Sequence, residues 1–211
     1  MNDRVFIVGG GPSLREFNFG CLNTEDVIVT NVAIFDVPKA KFFITIDYSF
    51  ILKITNRLQE FDQSDVTKVF VAGLHHENLV EKRGQIRDTR YNLVYDLSRF
   101  DIILKSYNET GCGRTWNDFR SGLNSGFCAF QLAVLLGYKK IYLLGMDLLG
   151  TKKDTHYHNQ YVGNTDFHNK LYVYDTMFRH GIEETDATVI SCCSTSSLNN
   201  VISFQPILEI L

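Results

Sequence analysis

The sequence predicts an α/β fold, with a mostly parallel central sheet in a single domain and helices on both faces. Three observations predict it. Short runs rich in β-branched and aromatic residues alternate with helical stretches. These runs are continuously apolar rather than alternating, which suits strands covered on both sides. Small or polar residues follow most of them, as expected where parallel strands present their carboxyl ends to a ligand.

In chain order, "VFIV" (Val5–Val8), "VIVT" (Val27–Thr30), "KFFITI" (Lys41–Ile46) and "KVFVAG" (Lys68–Gly73) read as strands. So do "KIYLLG" (Lys140–Gly145) and "TVISCC" (Thr188–Cys193). Between them, Ser49–Phe61 carries Ile51, Ile54, Leu58 and Phe61 at helical spacing and predicts one helix. Ser125–Gly137 is apolar nearly all round, so it predicts a buried helix, capped by Ser125 and ended by Gly137. Asp166–Gly181 predicts a further helix, with Asp166 as its cap. The stretch from about Glu77 to Trp116 is polar, aromatic and irregular. It reads as a small insert with one or two short strands, such as "YNLVYD".

Composition narrows the functional classes. A chain of 211 residues, 45% hydrophobic, suits one domain over 1–211 with that insert at about 77–116. A net charge of -3 argues against a protein that grips duplex nucleic acid by its phosphates. The N-terminus does not read as a signal peptide, and no run of 18 apolar residues predicts a membrane span. Five cysteines, an odd number without CxxC spacing, fit reduced thiols and a cytoplasmic setting. Zinc on Cys112 with nearby histidines, or a metal at the HxH spacing of His156 and His158, is the lesser alternative, and the main expectation is no metal site.

The ends of the strands carry the candidate site. Gly9, Gly10 and Gly11, then Pro12 and Ser13, follow the first strand. They form neither a Walker A loop nor a GxGxxG fingerprint. They would let a nucleotide approach the backbone closely and offer N–H groups to an anion. Asn31 follows the second strand and can pair with a base edge or a ribose, or simply form a turn. Asp47 follows the third, as a ligand-binding carboxylate or a helix cap. Asp147 follows the strand at Lys140. Asn124, Ser125 and Gly126 open the buried helix, whose dipole favours phosphate. The segment "DTHYHNQYVGNTDFHN" (Asp154–Asn169) holds His156 and His158 with Tyr157 and Tyr161. Histidine suits a general base near neutral pH, and the tyrosines suit a phosphate leaving group.

Four stretches resemble a known group: "VGGGPSL", "VTNVAIF", "LNSGFCAFQLAVLLGYKKIYLLGMDL" and "THYHNQYVGNTD". They look like the bacterial sialyltransferases of glycosyltransferase family 42 and, equally, like the related DUF115 proteins. The similarity covers the first fifty residues and roughly Asn124 to the C-terminus. It implies a Rossmann-like, GT-A-like sheet that binds a nucleotide-sugar donor of the CMP type. The glycine loop would hold the nucleotide, Asn31 its sugar or base, and Ser125 would lie near the phosphate. A histidine, His158 or His156, would act as general base on an acceptor hydroxyl, with no metal or other cofactor required. Three positions depart from the family pattern. Gly10 stands where an asparagine is expected, Gly122 replaces an arginine, and Leu149 replaces a tyrosine.

The main expectation is therefore a sialyltransferase-like glycosyltransferase. Its partners would be a nucleotide-sugar donor and a hydroxyl acceptor, either a glycan or a modified nucleotide or base, and self-association is compatible with it. A second reading is a DUF115-type pyrophosphokinase or phosphotransferase using Mg²⁺ on Asp47 and Asp147. A third is a non-catalytic binder of a nucleotide derivative.

Overall fold

The computed structural model describes residues 2–37, 39–74, 79–82, 85–88, 93–95, 97–108, 110–148, 156–157 and 165–211. Strands β1 (Arg4–Val8), β2 (Val27–Thr30) and β3 (Phe42–Thr45) lead to helices α1 (Phe50–Lys53) and α2 (Leu58–Gln63) and to β4 (Thr67–Gly73). Then come β5 (Leu79–Lys82), β6 (Gln85–Asp88), β7 (Leu93–Tyr95), β8 (Ile102–Asn108) and β9 (Phe119–Arg120). The chain continues through α3 (Ser125–Leu135), β10 (Lys140–Leu144), α4 (Thr165–Glu183), β11 (Thr188–Ser191) and β12 (Ser203–Phe204).

Nine strands form one sheet in the order β12-β11-β10-β1-β2-β3-β4-β8-β9, and neighbouring strands pair in parallel throughout. The expected α/β fold with a parallel sheet is what the structure has. Alternate side chains explain the covering on both faces. Val5, Ile7 and Leu143 pack under α3 and α4, against Phe127, Phe130 and Phe178. Phe6, Val8 and Phe43 pack on the opposite face, against Phe50 and Phe61 of α1 and α2.

Some details differ from the sequence reading. Helix α4 starts at Thr165 and runs to Glu183, so Asp166, expected as its cap, lies within the helix. The predicted helix over Ser49–Phe61 is broken into α1, a 3₁₀ turn (Thr55–Arg57) and α2. The Thr55 hydroxyl donates to the Leu52 carbonyl at 2.7 Å, competing with the helical ladder beside β-branched Ile54. The stretch 77–116 contributes a small antiparallel sheet, β5-β6-β7, but it also contains β8, which pairs with β4 inside the main sheet. The cap of α3 is Asn124, not Ser125. Asn124 is the residue with extended backbone, and its side-chain oxygen accepts from the Phe127 N–H at 3.1 Å.

Topology places the site. From β1 the chain adds β2, β3, β4, β8 and β9 outward in one direction. Helix α3 then returns it to the other side of β1, where β10, β11 and β12 continue. Strand order reverses between β1 and β10, and in such sheets a crevice opens beyond the strand ends at that point.

Candidate active site

The glycine loop packs directly on the end of β10. Gly9 N–H donates to the Leu144 carbonyl and Gly11 N–H to the Gly145 carbonyl, each at 2.8 Å. Those two amides are therefore committed to the protein rather than offered to an anion. What the glycines supply is close approach. A Cβ on Gly11 would lie 1.9 Å from Asp147 Oδ2 and 2.6 Å from the Gly145 carbonyl oxygen, so only glycine fits.

Asp147 stands just beyond the end of β10, at the switch point. It is buried, at 4% exposure. Its carboxylate accepts from Ser13 N–H at 3.1 Å and from the Ser13 hydroxyl at 2.8 Å, with a longer contact from Thr195 Oγ1 at 3.5 Å. Asp147 thus ties the loop after β1 to the end of β10 across the switch point.

A second polar cluster stands beside it. Asn31 sits in the left-handed region at φ 51°, which asparagine tolerates. Thr45 Oγ1 accepts from Asp47 N–H at 3.0 Å, so its proton goes to Asn31 Oδ1 at 2.7 Å. That bond orients the amide with its NH₂ as the remaining donor end. Ser125, on the first turn of α3, accepts from Ile46 N–H at 3.2 Å and lies 3.5 Å from Asn31 Oδ1. Asp47 accepts from Ser49 N–H at 2.9 Å and Ser49 Oγ at 2.7 Å, and pairs with Lys53 at 2.5 Å. A Cβ on Gly126 would lie 2.6 Å from Met146 Sδ, so a larger residue there would displace the Met146 side chain.

Of the histidine-rich segment, His156 and Tyr157 are described, whereas His158 and Tyr161 lie outside the described residues. The pair is clamped onto the glycine loop. Tyr157 N–H donates to the Gly10 carbonyl at 2.9 Å, and Arg15 donates to the His156 carbonyl at 3.2 Å. The Tyr157 hydroxyl donates to Asp36 at 2.6 Å. Burial, and then the Asp36 carboxylate, push the Tyr157 phenol well above its ordinary value, so it remains a neutral donor. The His156 ring lies over Gly10. A Cβ on Gly10 would meet its Cδ2 at 3.0 Å.

No family model matches the chain, and no curated protein matches it either. Solved structures do. The sialyltransferase CstII from Campylobacter jejuni, in complex with the substrate analogue CMP-3FNeuAc, aligns over 96% of this chain and 86% of its own, with a TM-score of 0.54 and 17% identity. The monofunctional α-2,3-sialyltransferase Cst-I from Campylobacter jejuni aligns over 96% and 80%, with a TM-score of 0.57 and 18% identity. CstII in complex with a trisaccharide acceptor and CMP aligns over 96% and 86%, with a TM-score of 0.52 and 18% identity. The chain has a sialyltransferase fold.

On this sialyltransferase fold, two of the three departures acquire physical reasons. Gly10 leaves room for the His156 ring, and a larger residue there would press against it. Gly122 has φ +54°, and its Cβ would fall 2.2 Å from Phe127 Cδ1, so the position serves packing of α3. The nearby Arg120 is engaged by the Thr110 carbonyl at 2.7 Å and by Asp118 at 3.2 Å. Leu149 lies outside the described residues. Sequence reasoning missed Thr45, Arg15 and Asp36. Thr45 left a signal, being a fully buried hydroxyl at the end of an apolar strand.

Proposed function

We propose that this chain transfers a sugar from a nucleotide-activated donor of the CMP type to an acceptor hydroxyl, without a metal ion. The observation that carries the reading is the convergence of the glycine loop, the Asn31–Thr45–Ser125 cluster and His156 at the switch point of a sialyltransferase fold. Two of the structural neighbours named above are complexes, one with the substrate analogue CMP-3FNeuAc and one with CMP and a trisaccharide acceptor.

In this reading the nucleotide lies along the crevice, with Asn31 NH₂ donating to it and the amino end of α3 facing its phosphate. An imidazole removes the acceptor proton, the acceptor oxygen bonds to the anomeric carbon, and the bond from that carbon to the phosphate oxygen breaks. The nucleotide leaves as a monophosphate. The close approach of its ring to Gly10 supports His156 as the base. Neutral Tyr157 helps to hold that ring in place through its bonds to Gly10 and Asp36. The five cysteines are free thiols, which supports a cytoplasmic setting. A magnesium-dependent phosphotransferase would call on Asp47 and Asp147. Both carboxylates already accept from protein donors, Ser49 and Lys53 for one, Ser13 for the other. This favours the sugar-transfer reading.

The test is a panel of CMP-, UDP- and GDP-sugars with hydroxyl acceptors, with and without EDTA. The expected result is CMP release that survives chelation and falls about 100-fold or more in His156→Ala. Release of AMP from ATP, abolished by EDTA, would favour the phosphotransferase instead.

A further inference from the structure

Beyond Asp47, past the end of β3, the surroundings turn apolar. A cavity of about 200 Å³ opens there, between α1 and β7. Its wall is aromatic: Tyr48 packs on Tyr95 with ring centroids 4.5 Å apart and edge-on to Phe70 at 5.0 Å, and Phe70 meets Phe100 at 5.1 Å. Leu52 and Val94 also line it, although they are 72% and 47% exposed. Large apolar side chains left in solvent around one concavity, next to a polar cluster, are the usual make-up of a ligand pocket. The cavity joins the candidate site through Asp47, which lines it and whose N–H bonds Thr45, the partner of Asn31.

Size and chemistry select the occupant. An apolar cavity of roughly 150 Å³ accepts a benzene ring. One of about 200 Å³, walled by tyrosine and phenylalanine, suits a single flat ring in stacked or edge contact. We propose that this cavity is an acceptor subsite for one aryl group, so that the hydroxyl receiving the sugar belongs to a molecule carrying an aromatic ring close to it. The ring enters against Leu52 and Val94, and the polar part of the acceptor lies toward Asp47. The proposal rests on the sugar-transfer reading and names the acceptor class for it.

Two arms test it separately from that reading. In the first, the full chain without donor is titrated with 4-nitrophenyl β-galactoside and with methyl β-galactoside, and saturation transfer to the ligand protons is read by NMR. The aryl glycoside should bind at least about tenfold more tightly, with saturation concentrated on its ring protons. Leu52→Glu and Val94→Glu, at exposed positions, should each remove that preference while circular dichroism and melting stay unchanged. Equal binding of the two glycosides, or an aryl preference untouched by both substitutions, overturns the proposal. So does a dimer that dissociates in Leu52→Glu without any ring preference, which would assign the face to self-association. The second arm measures transfer from the active donor to both glycosides. A lower KM for the aryl acceptor, lost in Val94→Glu, supports the subsite. Equal KM values with active transfer would sink the subsite and leave the sugar-transfer reading standing. Ring binding with no transfer to either glycoside would leave an aryl-binding cavity and overturn its role as an acceptor subsite, while release of CMP from the donor panel tests the sugar-transfer reading separately.

Discussion

Replacing Ser13 by alanine and Asp147 by asparagine, singly and together, measures the bond that closes the crevice. Ser13→Ala removes a 2.8 Å hydrogen bond from a hydroxyl to a buried carboxylate. Hydrogen bonds to charged groups contribute about 1.5–3 kcal/mol. Asp147→Asn keeps the shape but puts an NH₂ where one of two acceptor oxygens stood, so one of the two Ser13 donors loses its partner. Its cost should fall in the same range of about 1.5–3 kcal/mol. Because both substitutions delete the same contact, the double variant should be more stable than the sum predicts, by about 1–2 kcal/mol. The assay is urea unfolding followed by circular dichroism, with the slope m expected to be unchanged. Costs that add to within about 0.5 kcal/mol would show the two residues to be independent and refute the bridge.

Gly11→Ala should destabilise by at least about 1–3 kcal/mol, since its Cβ has no space beside Asp147, whereas Gly10→Ala should fold normally and lose activity by displacing His156. Thermal melts and turnover of the two variants check this, and equal melting temperatures would contradict it. Burial raises the Asp175 pKa, but hydrogen bonds from Arg179 and Ser197 outweigh it and hold the group below its ordinary value of 3.8. A depressed folded pKa stabilises above the unfolded value, and the gain is lost as pH falls through the folded one. The stability advantage of the wild-type chain over Asp175→Asn should therefore be full at neutral pH and shrink as pH drops below 3.8. A gap that stays constant through that window in urea titrations would contradict it.

Strands β1, β2, β3, β4, β10 and β11 were legible because burial on both faces leaves a continuous apolar run, as in "VFIV" with every side chain fully buried. β8 was not. Leu104 and Ser106 are buried while Ile103, Lys105 and Tyr107 are exposed, so near the sheet edge its polar alternation merged with the irregular stretch around it. Strand ends could be read as ligand-facing, which marked Gly9–Ser13, Asn31, Asp47, Ser125 and Asp147 as candidates. Which of them bond to each other depends on tertiary approach that spacing does not encode. Asp147 reads as a free carboxylate until Ser13 is seen to occupy it. His156 and His158 are equivalent in the sequence; in the structure His156 lies against Gly10 and its carbonyl accepts from Arg15, and His158 lies outside the described residues. The cap of α3 hinged on one residue of backbone conformation, extended at Asn124.

In the proposed function, Asn31 binds a nucleotide monophosphate at the switch point. Calorimetric titration of CMP into the wild-type chain and into Asn31→Gly tests it most directly. Glycine accepts the φ of 51° at this position, so the substitution removes the amide and leaves the backbone conformation open. Measurable binding of CMP to the wild type is expected, with a Kd at least about tenfold weaker in the variant, equivalent to about 1.4 kcal/mol. Identical affinity in the two proteins, or no binding of CMP to the wild type at millimolar concentration, would contradict it.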